Sequence, residues 1–145
     1  MKILFFDIET NGIEDFTNLN DLKVCHCMSV YDPIGGKMVT FEGDGMRAGL
    51  DMLSKADKII GHNIIGFDLP ALSKLYNFYP PLVQVQDTLV MSRCLNPDLK
   101  EDDFSRKNFD TKMIGSHSLK AWGLRMGEIL KLSYGEEEGA WDSYN

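Results

Sequence analysis

The sequence predicts an α/β domain, a mixed β-sheet with helices packed on it, and three observations carry that prediction. Short apolar runs rich in Ile, Val and Phe, bounded by turn residues, read as strands. Between them lie stretches whose apolar residues recur at helical spacing, so the chain reads β-β-β-α-β-α-β-α, the alternation of strands with crossover helices. The composition, 145 residues with 43% hydrophobic and 26% charged side chains, is that of one globular domain with a modest core and excludes the disordered and collagen-like classes.

In chain order, Lys2 to Phe6 is a buried strand that runs on into Asp-Ile-Glu and the breaker cluster Thr10-Asn11-Gly12. Val24, His26, Met28 and Val30 alternate with Cys25, Cys27, Ser29 and Tyr31; Asp32-Pro33-Ile34-Gly35-Gly36 then turns the chain into a third run, Lys37 to Phe41. Met46, Leu50 and Leu53 form one helical stripe, and Lys58 to Gly61 is the strand after it. A helix begins near residue 69, where Asp68 is a candidate N-cap and Pro70 sits in the tolerant first turn. Val83 to Asp87 reads as a strand and Thr88 to Leu95 as a helix stopped near Pro97, while 96–115 is polar and aperiodic and is expected to be a surface loop. Ser116 is the expected cap of the last helix, whose face is Leu119, Trp122, Met126, Ile129 and Leu130 and which ends at Gly135 and the acidic run Glu136 to Glu138.

The formal net charge is −7 and the isoelectric point about 4.9, which argues against a protein that coats duplex DNA, since that needs basic surface. Residues 93–131, with eight basic against six acidic side chains, are the one candidate basic surface. No apolar run reaches the roughly 18–20 residues of a membrane span, and acid follows the N-terminus too soon for a signal peptide. A cytoplasmic protein is expected, with Cys25, Cys27 and Cys94 reduced and buried, because an odd count without a C-x-x-C pair supports neither disulfides nor zinc.

Asp7 and Glu9 are two positions apart on a strand and so project from one face, with Ile8 on the other. Adjacent carboxylates repel; cations with a preference for hard oxygen ligands, Mg²⁺ or Mn²⁺, would neutralise them, whereas a solvated strand end would simply hydrate them. Asp68 stands at the next β-to-α junction, the place where open α/β sheets put their sites, and either joins the pair or caps its helix. Asp87 has the same two readings at the junction after it. His62 and Asn63 occupy the turn before Asp68, as ordinary loop residues or as members of the site. Three carboxylates from neighbouring junctions are able to hold two divalent ions about 4 Å apart, the arrangement used for phosphodiester hydrolysis.

Four blocks carry a resemblance: FDIETNGI (6–13), HNIIGFDLPALSKL (62–75), DTLVMSRCLNPDLKEDD (87–103) and GSHSLKAWGLRMGE (115–128). In this order they resemble the 3′–5′ exonuclease (proofreading) domain of family A phage DNA polymerases, part of the DEDD exonuclease superfamily. The resemblance implies a ribonuclease H-like mixed β-sheet flanked by helices over residues 1–145, and a host-cytoplasmic enzyme. It further implies two ions, Mg²⁺ or Mn²⁺, held by Asp7, Glu9 and Asp68 as catalytic residues. Thr10, Ile13, Asn63 and Phe67 would contact a single-stranded DNA 3′ end, although Phe67 equally suits the core. Arg93, Lys100, Arg106, Lys107 and Lys112 either steer the strand or belong to a solvated charged loop. The family's third motif, Y-x-x-x-D or H-x-x-x-D, has no complete counterpart before Asn145. A fourth carboxylate is expected from a polymerase domain, from a second chain or from Asp142 or Glu136 to Glu138. The alternative is an incomplete module that binds nucleic-acid ends or a polymerase partner without cleaving.

Overall fold

Strand β1 (Ile3–Thr10) lies in the middle of a five-stranded mixed sheet in the computed structural model, which describes residues 1–11 and 19–127. It forms because its residues alternate: Leu4, Phe6 and Ile8 are buried, while Phe5, Asp7 and Glu9 are exposed. Strands β2 (Cys25–Asp32) and β3 (Lys37–Glu42) continue antiparallel from it, joined by a turn in which the Asp32 carboxylate accepts from the backbone N–H groups of Ile34 and Gly35. Strands β4 (Lys58–Gly61) and β5 (Val85–Asp87) lie parallel on the other side, giving the order β3-β2-β1-β4-β5. The expected mixed α/β architecture is the observed one.

Two crossover helices, α1 (Met46–Ser54) and α2 (Asp68–Tyr76), supply the connections that parallel strands require. Met46, Leu50 and Leu53 of α1 and Ala71 and Leu72 of α2 join Leu4, Phe6, Ile8, Met28, Val30, Ile59 and Ile64 in one core cluster on the Ile8 face. α2 stops at Asn77, which takes the left-handed conformation at φ 58°.

Three local expectations change. Strict alternation would carry Val24 on the face that Met28 and Val30 bury, but the β1–β2 register shifts between Glu9 and Thr10. This irregularity turns Cys25 inward and leaves Val24 exposed. β5 begins at Val85, two residues later than its apolar pattern, because Leu82–Gln84 close a single 3₁₀ turn. α2 begins at Asp68 rather than after it, so Asp68 is the first helical residue and Phe67 occupies the cap position.

The chain divides into two compact units, Met1–Thr88 and a second from Leu89 onward. The second holds most of α3 (Thr88–Leu95), together with α4 (Leu99–Phe104) and α5 (Leu119–Met126). The expected loop over 96–115 is corrected: it contains α4 and a further 3₁₀ turn, Thr111–Met113. What organises it is a buried ion pair. Arg125 Nε and Nη2 donate to the two Asp103 oxygens at 2.8 and 2.7 Å, and Gly115 N–H adds a third bond to that carboxylate. The guanidinium also faces the rings of Trp122 and Phe109. Ser118, not Ser116, caps α5 by accepting from Ala121 N–H, and Gly127 at φ 76° ends it. Ile129, Leu130, Gly135, the Glu136–Glu138 run and Asp142 lie outside the described residues.

All three cysteines are free thiols, but only Cys25 is buried; Cys27 is half-buried and Cys94 exposed. Among the described residues no helix is long and apolar enough to cross a membrane.

Candidate functional site

The parallel pairing of β1 with β4 runs only from Ile3–Lys58 to Phe5–Ile60. Beyond it, the Ile8 N–H is left without a β4 partner, and Asp68 claims it: Asp68 Oδ1 accepts from Ile8 N–H at 3.2 Å. The third acid is thereby tied to the backbone of the residue standing between Asp7 and Glu9. Both β1 acids are exposed, opposite Ser29 and Cys27 of β2, whereas Asp68 is only 3% exposed.

Electrostatics tie the three together as well. The Asp68 carboxyl is pushed up to about 7, first by burial and then by the negative charge of Asp7; the Ile8 N–H opposes this and Asp87 adds to it. The Cys25 thiol is pushed up to about 12 by burial, then by Cys27, Asp68 and Glu9, so it stays protonated and unreactive. Three elements thus converge on one negative field at the C-terminal ends of parallel strands, where an open α/β sheet places its ligands. A divalent cation relieves such a field, and the donors are carboxylate oxygens of the kind Mg²⁺ and Mn²⁺ prefer. The set is open, however: among the described residues no three His, Cys, Asp or Glu side chains are gathered closely enough to hold a metal ion by themselves.

The turn between β4 and α2 is shaped by its glycines. A Cβ on Gly61 would lie 2.3 Å from Ile64 Cγ2 and 2.8 Å from Phe6 O, so only glycine lets β4 end against β1 with Ile64 plugged into the core. A Cβ on Gly66 would lie 2.5 Å from Asn63 Oδ1. Asn63 itself is left-handed, at φ 64°, and its carbonyl accepts from Gly66 and Phe67 N–H.

The nucleotide-contacting candidates fare unequally. Asn63 is exposed, its N–H held by Asp87; Thr10 closes β1 half-buried, its hydroxyl donating to Asn11 O. Phe67 packs against the core cluster, which is the ordinary reading of that ring. Ile13 lies outside the described residues. Arg93, Lys100, Arg106, Lys107 and Lys112 are all exposed in the second unit.

Two features carry more structure than the sequence signalled. Asn11 ties the ends of the segment after Glu9, its Oδ1 accepting from Lys23 and Val24 N–H and its Nδ2 donating to Asp21 O; the Thr-Asn-Gly breaker hinted at a turn but not at this clasp. Asp87 serves the turn before Asp68: its carboxylate accepts from Asn63 and Ile65 N–H, and its charge adds to the field at Asp68.

The site is thus that of an α/β domain with carboxylates presented at strand ends. In sequence the chain is homologous to two phage DNA-directed DNA polymerases. It is 33% identical to that of Escherichia phage T7 over 136 residues, 85% of this chain and 19% of the polymerase. To that of Enterobacteria phage T3 it is 34% identical over 140 residues, 88% of this chain and 19% of the polymerase. The chain spans about a fifth of the length of these curated relatives. No protein-family model matches. Among solved structures, the family B DNA polymerase from the hyperthermophilic archaeon Pyrobaculum calidifontis overlaps half of this chain and 10% of its own, at a TM-score of 0.39 and 28% identity.

Proposed function

We propose that this chain is the 3′–5′ exonuclease domain of a phage-type DNA polymerase, hydrolysing terminal phosphodiester bonds of single-stranded DNA to nucleoside 5′-monophosphates. The observation that carries the reading is the Asp68–Ile8 hydrogen bond, which brings the acid of a second β-to-α junction to the Asp7-x-Glu9 pair. Kinship with the two phage polymerases supports it.

In this reading Asp7, Glu9 and Asp68 hold two divalent ions, Mg²⁺ or Mn²⁺. When bound, such ions supply an activated water and offset charge on the departing 3′ oxygen. The chain's own residues supply placement. β1 fixes the spacing of Asp7 and Glu9, and the Ile8 N–H orients Asp68. Asn63 presents its side chain to the strand end. An acidic protein handles DNA this way because a frayed end offers few phosphates and the ions bring positive charge.

A second reading, a module that binds nucleic-acid ends or a polymerase partner without cleaving, is favoured by the open geometry of the acids. Digestion of 3′- and 5′-labelled single strands in Mn²⁺ separates the two. The exonuclease releases labelled mononucleotide first from the 3′ label, and Asp7→Ala abolishes the release; binding without digestion by the unaltered chain overturns it. A chain lengthened by a segment bearing Y-x-x-x-D, or mixed with a polypeptide that bears it, is expected to digest faster.

A further inference from the structure

Two consecutive residues at the β5–α3 junction serve one turn of the neighbouring strand. Asp87, 4% exposed, accepts from Asn63 N–H at 3.0 Å and from Ile65 N–H at 2.9 Å. Thr88 Oγ1 donates to Gly61 O at 3.1 Å and stands 2.9 Å from His62 Nδ1. A hydroxyl has one proton. With that proton on Gly61 O, the Thr88 oxygen meets His62 as an acceptor, and the proton between them belongs to Nδ1. The side chains of Asp87 and Thr88 therefore satisfy four polar groups within residues 61–65.

We infer that Asp87 and Thr88 are positioning residues for the site: together they hold the 61–65 turn, keep Asn63 in its left-handed conformation, fix His62 as the Nδ1–H tautomer, and through that turn set Asp68 against Ile8. The inference rests on the exonuclease reading for its consequence, but the clasp itself stands on geometry. The turn is the only chain between the end of β4 and Asp68, so a shift of the turn moves the acid. Helix capping, the ordinary role of an Asp-Thr pair before a helix, does not account for these contacts, because the Asn63 and Ile65 amides belong to the neighbouring strand's turn.

The test uses Asp87→Asn, Thr88→Val and Thr88→Ser in the full chain, with two independent readouts. Ring ¹⁵N spectra of His62 should show the Nδ1–H tautomer in the unaltered protein and in Thr88→Ser, and lose that preference in Thr88→Val. Amide exchange at Asn63 and Ile65 should be slow in the unaltered protein and faster in Asp87→Asn. In Mn²⁺-dependent digestion, Thr88→Val and Asp87→Asn should lose at least about tenfold in kcat with KM little changed, since displacement by about 1 Å costs on the order of a hundredfold, and Thr88→Ser should recover the rate. An Nε2–H tautomer in the unaltered protein, fast exchange at both amides there, or undiminished kcat in folded Thr88→Val and Asp87→Asn overturns the clasp. Absence of digestion by the unaltered chain overturns the exonuclease reading instead, while the tautomer and exchange measurements still decide the clasp. Should a variant not fold, the unaltered protein and Thr88→Ser decide it by the same spectra.

Discussion

Asp68 concentrates the tension of the site in a single side chain, because it is buried, close to Asp7 and yet bound to a backbone donor. Its carboxyl is raised to about 7 in the fold against an ordinary value of 3.8, so the folded state holds a proton that the unfolded chain releases between those values. Stability in the absence of metal should fall as pH rises from about 4 to about 7, and denaturant melts across that window measure the slope. Asp68→Asn keeps an oxygen for Ile8 N–H and removes the charge, so it should flatten the slope and match or exceed the unaltered stability at pH 8; it should also abolish digestion. Gly61 is the opposite case, a residue with no chemistry and no room. Gly61→Ala forces contact with Ile64 and the Phe6 carbonyl and should cost about 1–3 kcal/mol, read from denaturant unfolding. The same-face projection of Asp7 and Glu9 was legible because strand alternation is a property of the backbone alone. That Asp87 would serve the 61–65 turn was not, since it depends on which strand lies beside β5.

Among the elements, those with one strongly periodic face are legible in the sequence and those defined by a partner far away are not. β1, β4, α1 and α2 follow from local apolar pattern and capping chemistry. α4 does not: six residues, Leu99–Phe104, with three acids among them resemble a loop until Asp103 meets Arg125, 22 residues on. The Arg125 hydrogen bonds hold the Asp103 carboxyl below the usual carboxylate range, with Gly115 N–H contributing. The sign is therefore opposite to that of Asp68: this stabilisation is present above an unfolded value of about 4 and is lost as pH falls below it. Arg125→Leu leaves a buried carboxylate without its partner and should cost about 3–5 kcal/mol. Loss of helical circular dichroism at lower denaturant, with Asp103→Asn/Arg125→Leu partly recovering it, measures the pair.

At the scale of the whole molecule, the sheet order and the crossover helices bring the ends of β1, β4 and β5 to one edge, and both the acids and the Asp87–Thr88 clasp belong to that edge. The helices α1 and α2 fill the Ile8 face with core, while Asp7 and Glu9 on the other face are exposed. Mixed-sheet topology was legible in the order of patterns along the chain; the register shift between Glu9 and Thr10 was not, because a bulge is a relation between two strands. Whether Asp7, Glu9 and Asp68 form the one metal-binding site proposed for them is decided by calorimetric titration of Mn²⁺ into the unaltered chain and into Asp7→Asn/Glu9→Gln. Binding to the unaltered chain, with a melting temperature that rises with Mn²⁺ concentration, and its loss in a variant that remains folded are the expected results; equal binding by both proteins, or none by the unaltered chain, contradicts the claim.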